Sequence, residues 1–194
     1  MKNGGKALPV VLVVIGVVVV LGIMAFSWYK NGYDRLVRLD ESVNAAWAQV
    51  ENQLQRRFDL IPNLVNTVKG YAGHEKDVLT AVTDARSRVG SAQTIPDKMD
   101  ANRELTSALG RLLVVMENYP NLKADQNFLA LQSELEGTEN RIAVERRRYN
   151  ETVKEYNIAI RGFFARMIAG SMGLERKPLF EADEKAKAAP EVKF

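Results

Sequence analysis

Residues Leu8–Phe26 read LPVVLVVIGVVVVLGIMAF, 19 residues without one charged side chain. Nothing else in the chain restricts its fold as strongly. At about 1.5 Å per residue, a helix of that length covers roughly 28 Å, and the hydrocarbon core of a bilayer is about 30 Å thick. Within lipid the backbone must satisfy its own hydrogen bonds, so such a run has to be helical. Trp28 and Tyr29 follow it directly, and Lys30 comes next. Aromatic rings with one polar edge suit the headgroup boundary, and a lysine there can extend its ammonium into water. Pro9 falls in the first turn, where its missing N–H costs little. The segments are therefore a short tail at 1–7, a transmembrane helix at 8–29, a soluble domain at 30–176 and a polar tail at 177–194.

A cleaved signal peptide is the rival reading. Lys2 and Lys6 make a basic start, and Ala25-Phe26-Ser27 offers a small-x-small site. The apolar run is longer than the roughly 7–15 residues of a signal's apolar region, which favours a retained anchor. Lys30, Arg35 and Arg38 on one side, against Lys2 and Lys6 on the other, favour a cytoplasmic C-terminal domain. Gly16 and Gly22 are six apart, so the helix carries no GxxxG dimer motif.

Beyond residue 30 the composition turns to Glu, Arg, Ala, Leu and Lys, the residues of helices. Val43, Trp47, Val50, Leu54, Ile61, Leu64 and Val68 recur at three and four, one face of a long first helix. Pro62 lies inside this pattern and predicts a kink or a break. A second helix is expected over His74–Val89, with Val78, Val82, Ala85 and Val89 inward. A third opens at Pro96 and turns Leu105, Leu109, Leu112 and Met116 inward. Tyr119-Pro120-Asn121 reads as a turn. A fourth runs from about Ala124 to Phe163 on Phe128, Leu131, Leu135, Ile142, Tyr149, Tyr156 and Ile160. The fold class is thus all-α: an N-terminal transmembrane helix followed by an antiparallel four-helix bundle with long first and last helices. Short connections favour that topology. The junction between anchor and first helix has Gly32 as its one weak point, and the tail from Lys177 reads as loosely ordered.

The chemistry of sites finds little to work with. Net charge is +3 and there is no cysteine, which removes disulfides, thiolate nucleophiles and Cys-based metal sites. There is no block of basic residues interleaved with aromatics, so nucleic acid is not an expected partner. His74 is the sole histidine. A zinc-protease helix would need a second one four residues on, where Val78 stands, so His74 reads as a turn or helix start. No catalytic residue, cofactor site, metal site or small-molecule substrate is expected.

Two stretches are less ordinary. Arg57 occupies a slot in the apolar stripe, with Asp59 and Asn63 close by. On the fourth helix stand Glu139, Asn140, Arg147, Tyr149-Asn150 and Tyr156-Asn157. Antiparallel pairing of the long helices would set Arg57 and Asp59 near Glu139, Asn140 or Asn150. A charge inside a packed stripe needs a partner, and such a network would fix register more than it would add stability. Residues 162–172 form a second unusual stretch, with Phe163, Phe164, Met167 and Ile168 beside Arg161 and Arg166. They read as a cap on the bundle's own core, or as a contact with the membrane surface or a neighbouring subunit.

The stretches RRFDLIPNLVNTVKGYAGHE, MENYPNLKADQNFLALQSELEGTENRI and ERRRYNETVKEYN resemble the LemA family. The resemblance runs from the anchor to about Phe180. It implies a single-pass protein of the bacterial inner or plasma membrane with a helical-bundle domain and no established enzymatic activity. Members are often encoded near membrane proteases and envelope-stress proteins, which suggests an accessory role. The family commonly has Phe-Pro where this chain has Phe163-Phe164, so the fourth helix is expected to continue further. The expected function is a membrane-anchored scaffold or interaction protein that contacts the bilayer and self-assembles or binds a membrane protein. The alternative is an adaptor of a membrane protease or stress pathway.

Overall fold

The computed structural model describes residues 4–180, with side chains from residue 11 onward. Six helices account for nearly all of it: α1 Gly4–Tyr71, α2 Lys76–Ser91, α3 Ile95–Met116, α4 Pro120–Lys123, α5 Gln126–Ala159 and α6 Phe163–Ser171. No strand occurs among the described residues, so the fold is all-α. The apolar run and the first bundle helix are one uninterrupted helix, which begins at Gly4, inside the expected tail. Tyr119-Pro120-Asn121, expected as a turn, is partly the single-turn α4.

The chain divides into two compact units. One combines Asn44–Val153 with, among the described residues, 178–180. Its core draws Ile61, Leu64 and Val68 from α1, Leu79, Val82 and Ala85 from α2, Leu105, Leu109, Leu112 and Met116 from α3, then Leu122 and Phe128. Each fully buried Leu, Ile, Val, Phe or Met contributes about 1.5–3 kcal/mol over its exposed state. On α2 the inward position is Leu79 rather than Val78, which is only half-buried. Tyr71 bonds to Asp125, Arg57 pairs with Glu139, and Trp47 packs on Tyr149. Numbers rise on α5 as they fall on α1, so these two helices are antiparallel. Lys98 pairs with Glu51 and Arg57 bonds to Thr106, which makes α3 parallel to α1. Arg86 on α2 meets Phe58 after the reversal at residues 72–75. This is the up-down-up-down bundle of the sequence reading. Thr94 caps α3, its Oγ1 accepting from Asp97 N at 3.2 Å. Asp125 does the same for α5, its Oδ1 accepting from Phe128 N at 2.9 Å.

Pro62 does not break α1. A proline removes the N–H that would reach the carbonyl four residues back, and its ring pushes that carbonyl aside. Here the freed acceptor is Phe58 O, and Arg86 Nε donates to it at 3.1 Å. The same guanidinium lies 3.8 Å from the centre of the Phe58 ring. One side chain from α2 thus satisfies the carbonyl and stacks on the ring, and Pro62 is accommodated within the helix.

The other unit combines α1 up to Val43 with Lys154–Lys177. Leu36, Val43, Tyr156, Asn157, Ile160, Ile168 and Ala169 are its buried residues among those described. The expectation of a longer fourth helix is wrong: α5 stops at Ala159. Gly162 takes an extended conformation (φ −56°, ψ 144°) and starts α6, its carbonyl accepting from Arg166 N at 2.8 Å. The break therefore needs no proline. At the far end Gly173 has φ +65°. Leu174 N donates to Ala169 O at 3.0 Å, and Gly173 N to Gly170 O at 3.3 Å. These are the paired bonds of a glycine-terminated helix end. Gly32, expected as a weak point, instead allows close approach: a Cβ there would lie 2.8 Å from Ile168 Cδ1.

Residues 177–180, expected to be loose, are held in place by the side chains described below. The rest of that expectation, for 181–194, lies outside the described residues.

Candidate functional site

In the larger unit the packing of α1, α3 and α5 buries Arg57 to 5% exposure. Its Nη1 donates to Thr106 Oγ1 at 2.9 Å and lies 3.0 Å from Glu139 Oε2. The carboxylate oxygen is off-axis for a hydrogen bond, so charge holds this pair while geometry holds the threonine. Thr106 Oγ1 in turn donates to Asn102 O at 3.0 Å, and Asn102 donates to Lys98 O at 2.8 Å. Burial lowers the pKa of Arg57; Glu139 opposes that shift, and Arg146 adds to it. The guanidinium remains charged at any physiological pH.

Two small cavities flank it. One, of about 180 Å³, is largely apolar and lined by Leu64, Leu109, Leu113 and Leu135. The other, of about 120 Å³, is bordered by Asn102, Arg103, Arg146 and Phe180. Ligand pockets usually enclose about 300–1,000 Å³, so neither accommodates a substrate of ordinary size. Among the described residues no cluster of His, Cys, Asp and Glu is suited to a metal ion.

The remaining sequence candidates separate. Asp59 is exposed and accepts from Gln55 at 2.9 Å. Asn140 is exposed. Asn63 borders an open groove of about 550 Å³ between α1 and α5, with Asn66, Thr67, Asn127 and Glu134. Thus Arg57 and Glu139 come together, while Asp59, Asn63 and Asn140 do not join them.

Asn150 has a partner that the helical pattern did not suggest. Its amide donates to Phe180 O at 3.0 Å and accepts from Phe180 N at 2.9 Å. The Phe180 ring stacks on Trp47 with centroids 6.0 Å apart and meets Tyr149 edge-on at 5.7 Å. The Arg146 guanidinium lies over the same ring, 4.6 Å from its centroid. Tyr149 donates to Pro178 O at 3.0 Å, and burial pushes its phenol pKa up to about 12.

Within the smaller unit Tyr156 and Asn157 act alike. Tyr156 donates to Glu175 O at 3.0 Å, while Asn157 donates to Lys177 O at 2.9 Å and accepts from Lys177 N at 3.0 Å. Lys177 pairs with Asp40 at 3.0 Å. The two Tyr-Asn pairs were visible in the sequence as polar residues beside a stripe. What they hold is an extended segment with no periodicity of its own.

Phe163, Phe164 and Met167 are exposed, whereas Ile168 is buried. Ile168 thus packs inward, and Phe163, Phe164 and Met167 lie on the exposed side of the same helix.

Residues 46–194 match the LemA family. The chain belongs to the LemA family. The matched stretch starts after the apolar run and continues past Phe180, so the family match is centred on the bundle instead of the anchor. Among similar proteins, the LemA protein of Metamycoplasma hominis is 25% identical, over 86% of this chain and 76% of its own length. Magnetosome protein MamQ 2 of Paramagnetospirillum magneticum is 27% identical, over 85% of this chain and 71% of the relative. Magnetosome protein MamQ of Magnetospirillum gryphiswaldense is 26% identical, over 73% and 62%. In this LemA family chain the three quoted signature stretches supply Arg57, Glu139, Tyr149, Asn150, Tyr156 and Asn157.

Proposed function

We propose that this LemA family protein is a single-pass membrane protein that works by contact, as a scaffold or interaction partner in the bacterial cell envelope. One observation carries the reading. The side chains of α1 from Val11 to Phe26 are exposed and apolar, and the same helix continues to Tyr71 as a core helix of the bundle. An exposed apolar helix of this length needs lipid. The bundle's polar side chains hold helices and the C-terminal segment in register, and the groove between α1 and α5 is open and amide-lined. Such a groove suits a protein surface better than a reaction. Relatives named for a cellular structure, the magnetosome, fit the same role. The proposed location is the inner or plasma membrane, with the C-terminal domain cytoplasmic, and the proposed partners are the bilayer and further copies of the chain or another membrane protein.

The test has two steps. The full chain should stay with membranes through alkaline carbonate extraction, and a chain lacking residues 8–26 should not. Mass measurement in lipid nanodiscs should then give more than one copy per disc. Release by carbonate would overturn the anchor. A strict monomer that crosslinks in cells to one membrane protein would overturn self-assembly and leave the partner-binding role.

A further inference from the structure

Helix α6 presents two different faces. Ile168 and Ala169 are buried in the smaller unit, and Ile168 reaches the notch at Gly32. Phe163 and Met167, one turn apart, are 82% and 73% exposed. Burying such side chains would be worth about 1.5–3 kcal/mol each, and among the described residues nothing covers them. Their position relative to the apolar run of α1 is fixed. Phe164 meets Trp28 edge-on with centroids 5.0 Å apart, and Phe163 meets Phe164 the same way at 4.9 Å. Trp28 stands two residues beyond Phe26, where the charge-free run ends. The exposed rings are therefore level with the end of that run. The electrostatics agree. Between Glu155 and Glu175 the chain has Arg161 and Arg166 and no acidic residue, and both arginines are exposed.

We propose that α6 is an interfacial helix: Phe163, Phe164 and Met167 insert among lipid headgroups and upper acyl chains beside Trp28, and Arg161 and Arg166 meet lipid phosphates. This rests on α1 being a membrane anchor. Charge-poor apolar faces flanked by arginines enter that region to about 5–10 Å, and anionic lipids add attraction to each basic residue. Gly162 before α6 and Gly173 after it end the helix sharply, so that this short element lies against α1 instead of extending α5.

The chain has no native cysteine, so a single probe can be placed at will. Met167→Cys, Val18→Cys and Ser42→Cys each receive an environment-sensitive fluorophore. The full-length variants are reconstituted in phosphatidylcholine–phosphatidylglycerol vesicles containing lipids spin-labelled at a shallow or a deep acyl carbon. The Val18 probe should be quenched most by the deep label. The Ser42 probe, about 24 Å along α1 from Phe26, should show no quenching. The Met167 probe should be blue-shifted and quenched by the shallow label more than by the deep one. A Met167 probe with the emission of water while the Val18 probe is quenched overturns this proposal and leaves the anchor intact. A Met167 probe that is blue-shifted but unquenched by either label means protein covers α6, and also overturns it. Loss of quenching at Val18 overturns the anchor itself.

Discussion

Arg86→Met and Pro62→Ala, alone and together, test whether Arg86 replaces the bond that Pro62 removes. In the native protein Arg86 Nε donates to Phe58 O at 3.1 Å, and its guanidinium lies 3.8 Å from the Phe58 ring centre. A hydrogen bond from a charged group contributes about 1.5–3 kcal/mol, reduced here to about 1–2 because Arg86 is half-buried. The stacked cation adds about 0.5–1 kcal/mol. Arg86→Met should therefore cost about 2 kcal/mol. Pro62→Ala restores an N–H directed at the same carbonyl, and alanine is favoured over proline in a helix interior by at most about 3 kcal/mol. Once Phe58 O has that donor, Arg86→Met removes only the stacking, about 0.5–1 kcal/mol. The two changes should couple by about 1 kcal/mol, beyond the roughly 0.3–0.5 kcal/mol scatter of independent sites. Urea unfolding of the full chain in detergent, followed by far-ultraviolet circular dichroism, measures all four proteins. If the double variant is the sum of the singles, the carbonyl does not depend on Arg86 and the explanation for the unbroken helix fails.

Three further outcomes follow from the bundle. Thr106→Val leaves Arg57 without its aligned acceptor and should cost about 1–3 kcal/mol, whereas Arg57→Met together with Glu139→Met, which removes both charges of the pair, should cost less or stabilise; urea midpoints rank the two. Asn150→Ala removes both bonds to Phe180, so limited proteolysis should cut the C-terminal segment faster while the helical spectrum stays unchanged. Tyr149 has a pKa raised from 10.0 to about 12 by burial, so its unfolded form releases a proton first as pH rises. Its contribution is whole below pH 10 and is lost between 10 and 12. Tyr149→Phe should flatten that part of the pH–stability curve, and an unchanged slope would refute the assignment.

How far the sequence could be read depended on whether a feature was local. The apolar run, the stripe through Val50 and Leu64, and the Leu105–Met116 face are spacing patterns along one helix, and the structure shows all three. Arg57 was detectable for the same reason, because a charge in an apolar slot breaks a local pattern. Pro62 was read by the rule for an isolated helix. Its rescue comes from a residue 24 positions on, which spacing along α1 cannot show. The short break before α6 was misplaced because proline was taken as the stop signal, while Gly162 supplied it. Residues 177–180 were read as part of a loose tail because an extended segment has no period to detect. Its order comes from side chains on a helix that precedes it.

That last case gives the Tyr-Asn pairs a common logic. Asn150 and Asn157 are seven residues apart, two helical turns, and so fall on one face of α5. Each asparagine offers both a donor and an acceptor to the N–H and C=O of one residue, Phe180 in the larger unit and Lys177 in the smaller. Each preceding tyrosine donates to a carbonyl two residues earlier in the segment. All six bonds go to main-chain atoms, so the segment's identity enters through its rings and charges alone: Phe180 among Trp47, Tyr149 and Arg146, and Lys177 on Asp40. If that division is correct, Phe180→Leu should loosen the segment more than Leu179→Ala, because Leu179 is exposed. An equal increase in proteolysis for both would mean that the main-chain bonds alone hold it.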